Sequence, residues 1–177
     1  MRHSHGNASV LTYDAPTEIL SGTIGHQHFY LRAYSGGGRG SVHPEQWDNS
    51  LRSHLANTKE SASTRGGTLP AGWYRCEYVQ HHRKYGECVQ LHRTASSAAI
   101  FSPFSAHPIA HGRGDDFFIH GRGEHGSDGC IVPELKGQRL RINHAVKTCP
   151  GTVYVQVVGT AYMLPAERGL PPGGRIA

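Results

Sequence analysis

The chain has 177 residues, 37% of them hydrophobic, a formal net charge of +5 and a pI near 9.2. That length supports one domain with a real core, and no apolar run approaches the ~20 residues of a membrane helix, which excludes membrane insertion by helices. The positive balance favours anionic partners, but its lysines and arginines are scattered, with no dense basic run and no nucleic-acid motif, which argues against nucleic acid.

Residues 1–9 are polar and read as a frayed, disordered N-terminus, without the apolar segment of a secretory signal. Val10–Tyr13 and Ile19–Leu20 flank Asp14-Ala15-Pro16-Thr17, a turn between two strands. Thr23-Ile24 and Phe29–Tyr34 flank Gly25-His26-Gln27-His28, a second hairpin. Ser35–Ser41 is a glycine-rich loop that lacks the Gly-Lys-Ser/Thr ending of a phosphate-binding P-loop. Trp47, Leu51 and Leu55 recur at helical spacing, so Pro44–Thr58 reads as a short helix packed on a sheet. Lys59–Gly67 is polar and reads as an exposed loop. Trp73–Val79 and Cys88–Leu91 read as a hairpin joined by residues 81–87, which puts Cys76 and Cys88 on facing strands, where they either form a disulfide or stay free. Cys149, beside Pro150-Gly151, reads as a free thiol. Arg139-Leu140-Arg141-Ile142 alternates like a strand, and Val153–Val158 is the clearest β-branched run in the chain. Residues 165–177, rich in Pro and Gly, read as an irregular tail, leaving one domain over 10–164. With 23 glycines and 10 prolines punctuating short Val, Thr and Tyr runs, the fold class is mostly β, with one or two short helices.

The densest chemistry lies in Phe117-Phe118-Ile119-His120-Gly121-Arg122-Gly123-Glu124-His125-Gly126-Ser127-Asp128-Gly129-Cys130-Ile131-Val132. An apolar run delivers His120. A glycine-rich loop then delivers Cys130, which apolar residues follow. A thiol attacks well only as thiolate and needs a nearby base. A histidine that a folded-back loop returns to the sulfur supplies one. Backbone N–H groups near Gly129 and Cys130 are then candidates to face the oxyanion of a tetrahedral intermediate. His125 and His111 are rivals for the base, but neither ends an apolar run. Ser127 sits in Gly-Ser-Asp-Gly, which is not the Gly-x-Ser-x-Gly elbow of a serine nucleophile, so its hydroxyl forms the turn or positions substrate. Asp128 either orients an imidazole or favours the turn. Arg113 and Arg122, each in Gly-Arg-Gly, are either solvated or hold a substrate carboxylate. The pairs His3/His5, His26/His28 and His81/His82 fit no metal-binding pattern, so no metal or other cofactor is expected.

This block resembles the L,D-transpeptidase (YkuD-like) cysteine enzymes, whose hallmark is an upstream histidine and then Ser/Thr-His-Gly-Cys followed by an apolar residue. Here the second part reads Ser127-Asp128-Gly129-Cys130-Ile131. Leu11–Gly22 is similar to that family's opening hairpin, Ala33-Tyr34-Ser35-Gly36 to its Tyr-Ser-Gly strand end, and Gly67–Tyr74 to its Gly-x-x-Pro-x-Gly-x-Tyr element. The short His-to-Cys spacing resembles the L,D-transpeptidase-type effector toxins of type VI secretion. Asp128 stands where the general family carries a second histidine, and Val132-Pro133 where an Arg or Asn is often found.

The resemblance implies an L,D-transpeptidase-like sheet or sandwich acting on the tetrapeptide stems of peptidoglycan. Cys130 would be nucleophile and His120 base, with Ser127, Asp128 and Gly129 in the catalytic turn, and Tyr34, Ser35, Arg113, Gly121 and Arg122 lining the substrate cleft. It also implies delivery by a type VI secretion component, without a signal peptide, into the periplasm of a target bacterium, and a cognate immunity protein. Two other readings are an NlpC/P60-like cysteine endopeptidase, in which the cysteine precedes the histidine, and a non-catalytic wall-binding module.

Overall fold

The computed structural model describes residues 9–36, 68–94, 117–121, 127 and 129–159. These residues are mostly β. Eight strands form one sheet: β1 Ser9–Asp14, β2 Ile19–Ile24, β3 Gln27–Tyr34, β4 Gly72–His82, β5 Gly86–Arg93, β6 Phe117–Ile119, β7 Val132–Pro133 and β8 Val153–Val158. Among the described residues there is one helix, α1, Lys136–Thr148.

The sheet order is β6-β5-β4-β8-β1-β2-β3-β7. Neighbours pair antiparallel except β1 and β8, which run parallel from Ser9↔Val153 to Asp14↔Val158. In β1 and β8 every second residue is buried, so each strand sends one face into the core and its register is fixed by that alternation. The main core gathers Leu11, Tyr13, Leu20, Leu31, Tyr74, Leu91, Val155 and Val157 from the sheet, and Ile142 and Ala145 from α1. Each large side chain so buried contributes about 1.5–3 kcal/mol of transfer free energy.

Local chemistry sets the hairpins. Gly25, at φ +58°, and His26 alone join β2 to β3, since Ile24 pairs with Gln27; a glycine in the first turn position matches the twist of the flanking strands. This turn is shorter than the Gly25–His28 loop expected, and Gln27 and His28 belong to β3. Gly86, at φ +68°, likewise closes a three-residue turn, residues 83–85, so the β4–β5 connection is shorter than 81–87. At the N-terminus β1 begins at Ser9, one residue inside the segment expected to be frayed.

One expectation is overturned and one open alternative is settled. Residues 139–142 lie inside α1 rather than in a strand. The four-residue alternation is a short window on a longer pattern: Ile142, Ala145, Val146 and Cys149 face the core at i, i+3, i+4 and i+7. Cys76 and Cys88 are free thiols, not a disulfide. Cys76 pairs with Leu91, and Cys88 with Val79. Positions 76 and 79 differ by an odd number, so the two thiols stand on opposite faces of the sheet. Cys149 is also free, with its Sγ 3.4 Å from the Ser9 hydroxyl. The helix expected over 44–58 and the tail 165–177 lie outside the described residues.

The two edges of the sheet, β6 and β7, come together. A parallel bridge, Ile119↔Ile131, joins the end of β6 to the residue before β7, so the sheet nearly closes into a barrel. Ile131 N–H donates to the Phe118 carbonyl at 2.9 Å and His120 N–H to the Ile131 carbonyl at 3.1 Å. This seam falls between His120 and Cys130.

Candidate active site

Side-chain alternation decides where the seam's two reactive groups go. Ile119 and Ile131 are fully buried in the main core. Their chain neighbours, His120 and Cys130, therefore face the other side of the sheet, and the parallel bridge puts them on the same side. There Cys130 packs in a small second cluster with Cys88 and Phe118, against which Val79 and Tyr85 lean. His120 is 3% exposed and Cys130 2%.

Tyr85 links the two. Its ring stacks on the His120 imidazole with centroids 3.9 Å apart and planes 8° from parallel. It also packs on Phe118, at 5.3 Å, and on His82, at 4.8 Å and 13°. The His82 ring is anchored in turn, because its Nδ1 accepts the backbone N–H of Lys84 and of Tyr85. The imidazole is thus held in plane by an aromatic stack built on the β4–β5 turn.

The backbone carrying the thiol is clamped at both carbonyls. The Ser127 hydroxyl donates to the Cys130 carbonyl. The Ser35 hydroxyl donates to the Gly129 carbonyl at 3.2 Å and accepts the Leu69 N–H at 2.9 Å. Ser127 N–H donates to the Gly36 carbonyl at 2.7 Å, tying the loop back to the end of β3. Gly129 takes φ +94°, a conformation that a side chain would strain. Because a trans peptide sets C=O and N–H antiparallel, Ser35's grip on the Gly129 oxygen aims the Cys130 N–H the opposite way.

Of the residues singled out from the sequence, the fold brings His120, Cys130, Ser127, Gly129, Ser35 and Tyr34 to the seam; Gly121 follows His120 at its exposed end. Arg113, Arg122 and Asp128 lie outside the described residues, as do His111 and His125. Ser35, expected to line the substrate cleft, is fully buried and engaged with backbone on both sides. Tyr34, 8% exposed, sits opposite Val132 and donates its hydroxyl to the Glu134 carboxylate at 2.7 Å.

The sequence reading missed Tyr85 and the placement of Cys88 beside the nucleophile candidate. Tyr85 lies in a turn with no periodicity to mark it. Cys88 was legible only by carrying two registers at once: Val89 pairs with Ile119, so Cys88 falls next to His120 on the same face. Burial first, and then the nearby Cys130 charge, push the Cys88 thiol up to about 11, which keeps it protonated at neutral pH.

Beyond the bridge the seam opens into a cavity of about 350 Å³ lined by Gly121, Val132, Pro133, Glu134, Lys136 and Arg139. No family model and no curated protein matches the chain. Among solved structures it is similar to the helical cell shape determining protein Pgp2 (K307A mutant) from Campylobacter jejuni, with a TM-score of 0.42 and 13% identity over 90% of this chain and 49% of that one. The chain thus spans about half the length of that protein.

Proposed function

We propose that this protein is a cysteine L,D-carboxypeptidase or L,D-transpeptidase of peptidoglycan, which removes or exchanges the terminal D-alanine of tetrapeptide stems. The observation that carries this reading is the shared face of His120 and Cys130 at the closing seam, with Tyr85 stacked on the imidazole. The substrate class rests on the sequence resemblance of the His120 and Ser127–Ile131 block.

The reaction follows from these groups. His120 takes the proton from the Cys130 thiol, and the thiolate attacks the carbonyl joining the L-centre of the third, diamino residue to D-alanine. The carbonyl oxygen becomes an oxyanion, and the Cys130 N–H, aimed by Ser35, is the donor suited to meet it. The intermediate collapses as His120 returns the proton to the leaving amine. D-Alanine departs and a thioester remains on Sγ. Water then releases a tripeptide, or the amine of a D-amino acid makes an exchanged stem; either restores the thiol. Burial of the pair works against a lone thiolate, so an imidazolium formed together with it is what sustains the charge. The toxin-type resemblance extends the proposal to an effector delivered into a rival's periplasm and paired with an immunity protein.

Mass spectrometry of muropeptides tests the chemistry. Wild type should convert tetrapeptides to tripeptides, or exchange their D-alanine. Cys130→Ala should reduce this by about 10³-fold or more. Cleavage between stem positions two and three would favour an NlpC/P60-like endopeptidase, and binding to sacculi without bond cleavage a wall-binding module; either outcome sinks the proposal.

A further inference from the structure

The cavity at the end of the seam begins where the reacting pair ends. Gly121 directly follows His120, and Val132 is on the same strand face as Cys130. Its charged lining is Glu134, Lys136 and Arg139. Glu134 already accepts the Tyr34 hydroxyl, whereas the Arg139 Nε is buried with no hydrogen-bond partner among the described residues. A buried guanidinium nitrogen left in this state is costly unless something completes it.

Gly121 explains how Arg139 gets there. A Cβ built on Gly121 would fall 0.8 Å from Arg139 Nη1 and 2.0 Å from its Cζ, so the guanidinium occupies the volume that any other residue would fill. The first turn of α1 adds to the local potential. It carries no acidic residue, and Leu135 lends no side-chain cap, so within that turn no side chain offsets the positive end of the helix dipole.

We propose that Arg139, admitted beside the seam by the missing side chain of Gly121, holds the free carboxylate of the terminal D-alanine and makes the enzyme select stems that end there. The proposal rests on the function given above. His120 protonates the leaving nitrogen, and the carboxylate of the leaving residue is two bonds from that nitrogen. The cation packed on the residue after His120 is therefore on the leaving-group side. A guanidinium meets a carboxylate with two parallel N–H donors, and Lys136 adds a point charge at the rim. A stem extended past the D-alanine presents an amide at this position, with no charge for Arg139 to meet.

The test separates binding from turnover. Full-length Cys130→Ala protein is titrated calorimetrically with a synthetic tetrapeptide stem ending in D-alanine, as the free acid and as the C-terminal amide. The acid should bind about tenfold or more tightly than the amide. Adding Arg139→Gln should bring the acid down to the amide's affinity and leave the amide unchanged, which also shows that the variant is folded. Gly121→Ala should do the same by displacing the guanidinium, since the far end of a flexible side chain can move aside. Equal affinity for acid and amide, no binding of the acid, or a preference that survives Arg139→Gln overturns the inference. Turnover by the wild type is scored independently: release of D-alanine with no acid preference rejects the Arg139 role alone, while an acid preference with no release rejects the reaction alone.

Discussion

The β1–β2–β3 ribbon with β8 and the β6–β7 seam are built on different principles. The first is over-determined. Its strands are six to eight residues long, their alternation fixes which face is buried, and short turns set the register. The second consists of strands of three and two residues joined by one bridge. Two backbone hydrogen bonds cross that bridge, and side chains add to them: Ser35 and Ser127 on carbonyls, Tyr85 on the imidazole. A site assembled this way is positioned by the rigid ribbon yet can be disturbed without unfolding it.

That contrast is open to attack at three points. Leu11→Ala, in the ribbon's core, should lower the unfolding free energy by about 2–5 kcal/mol, measured by urea denaturation, with activity per folded molecule unchanged; a selective loss of activity would mean that the ribbon and the seam are not separable.

Ser35→Ala strikes the seam. It leaves the Leu69 N–H without its acceptor, at a cost of about 1–3 kcal/mol, and frees the Gly129–Cys130 peptide to rotate. Acylation of Cys130 should slow about 10²-fold, as when an oxyanion donor is lost. Alkylation of Cys130 by iodoacetamide, which forms no oxyanion, should be nearly unaffected. Equal slowing of both would make Ser35 a purely structural residue.

The smallest effect concerns the thiols. Burial pushes Cys76 up to about 12 and Cys88 up to about 11, from an ordinary 9.0. A thiol whose folded value is raised favours the folded state fully below its unfolded value and loses that contribution as pH rises toward the folded one. Stability should therefore decline from about pH 9 upward. Cys76→Ala should flatten this alkaline limb more than Cys88→Ala, because its shift is larger. Denaturation curves between pH 8 and 11 check the order.

The hairpins were readable because their causes are local: apolar alternation in residues 10–13 and 153–158, and glycines at turn positions. The His120–Cys130 pairing was readable as a motif, since an apolar run, a glycine-rich loop and a thiol suffice to mark it. Residues 139–142 misled because a four-residue window fits strand and helix periods alike. The choice between a Cys76–Cys88 bond and free thiols stayed open in the sequence because a shift in register decides which face a thiol occupies, and register is set by the whole hairpin.

The amino-acid order alone determined the mostly β class and the ribbon's strands and singled out His120 and Cys130 as a candidate pair, because each depends on neighbours within a few positions. Only the tertiary structure decided that β6 and the residue before β7 meet, that Tyr85 lies on His120, that the Ser35 hydroxyl bonds the backbone of Gly129 and Leu69, and that Arg139 fills the space beside Gly121. These contacts join residues from 12 to 94 positions apart, and they exist only once the curved sheet brings its two edges together.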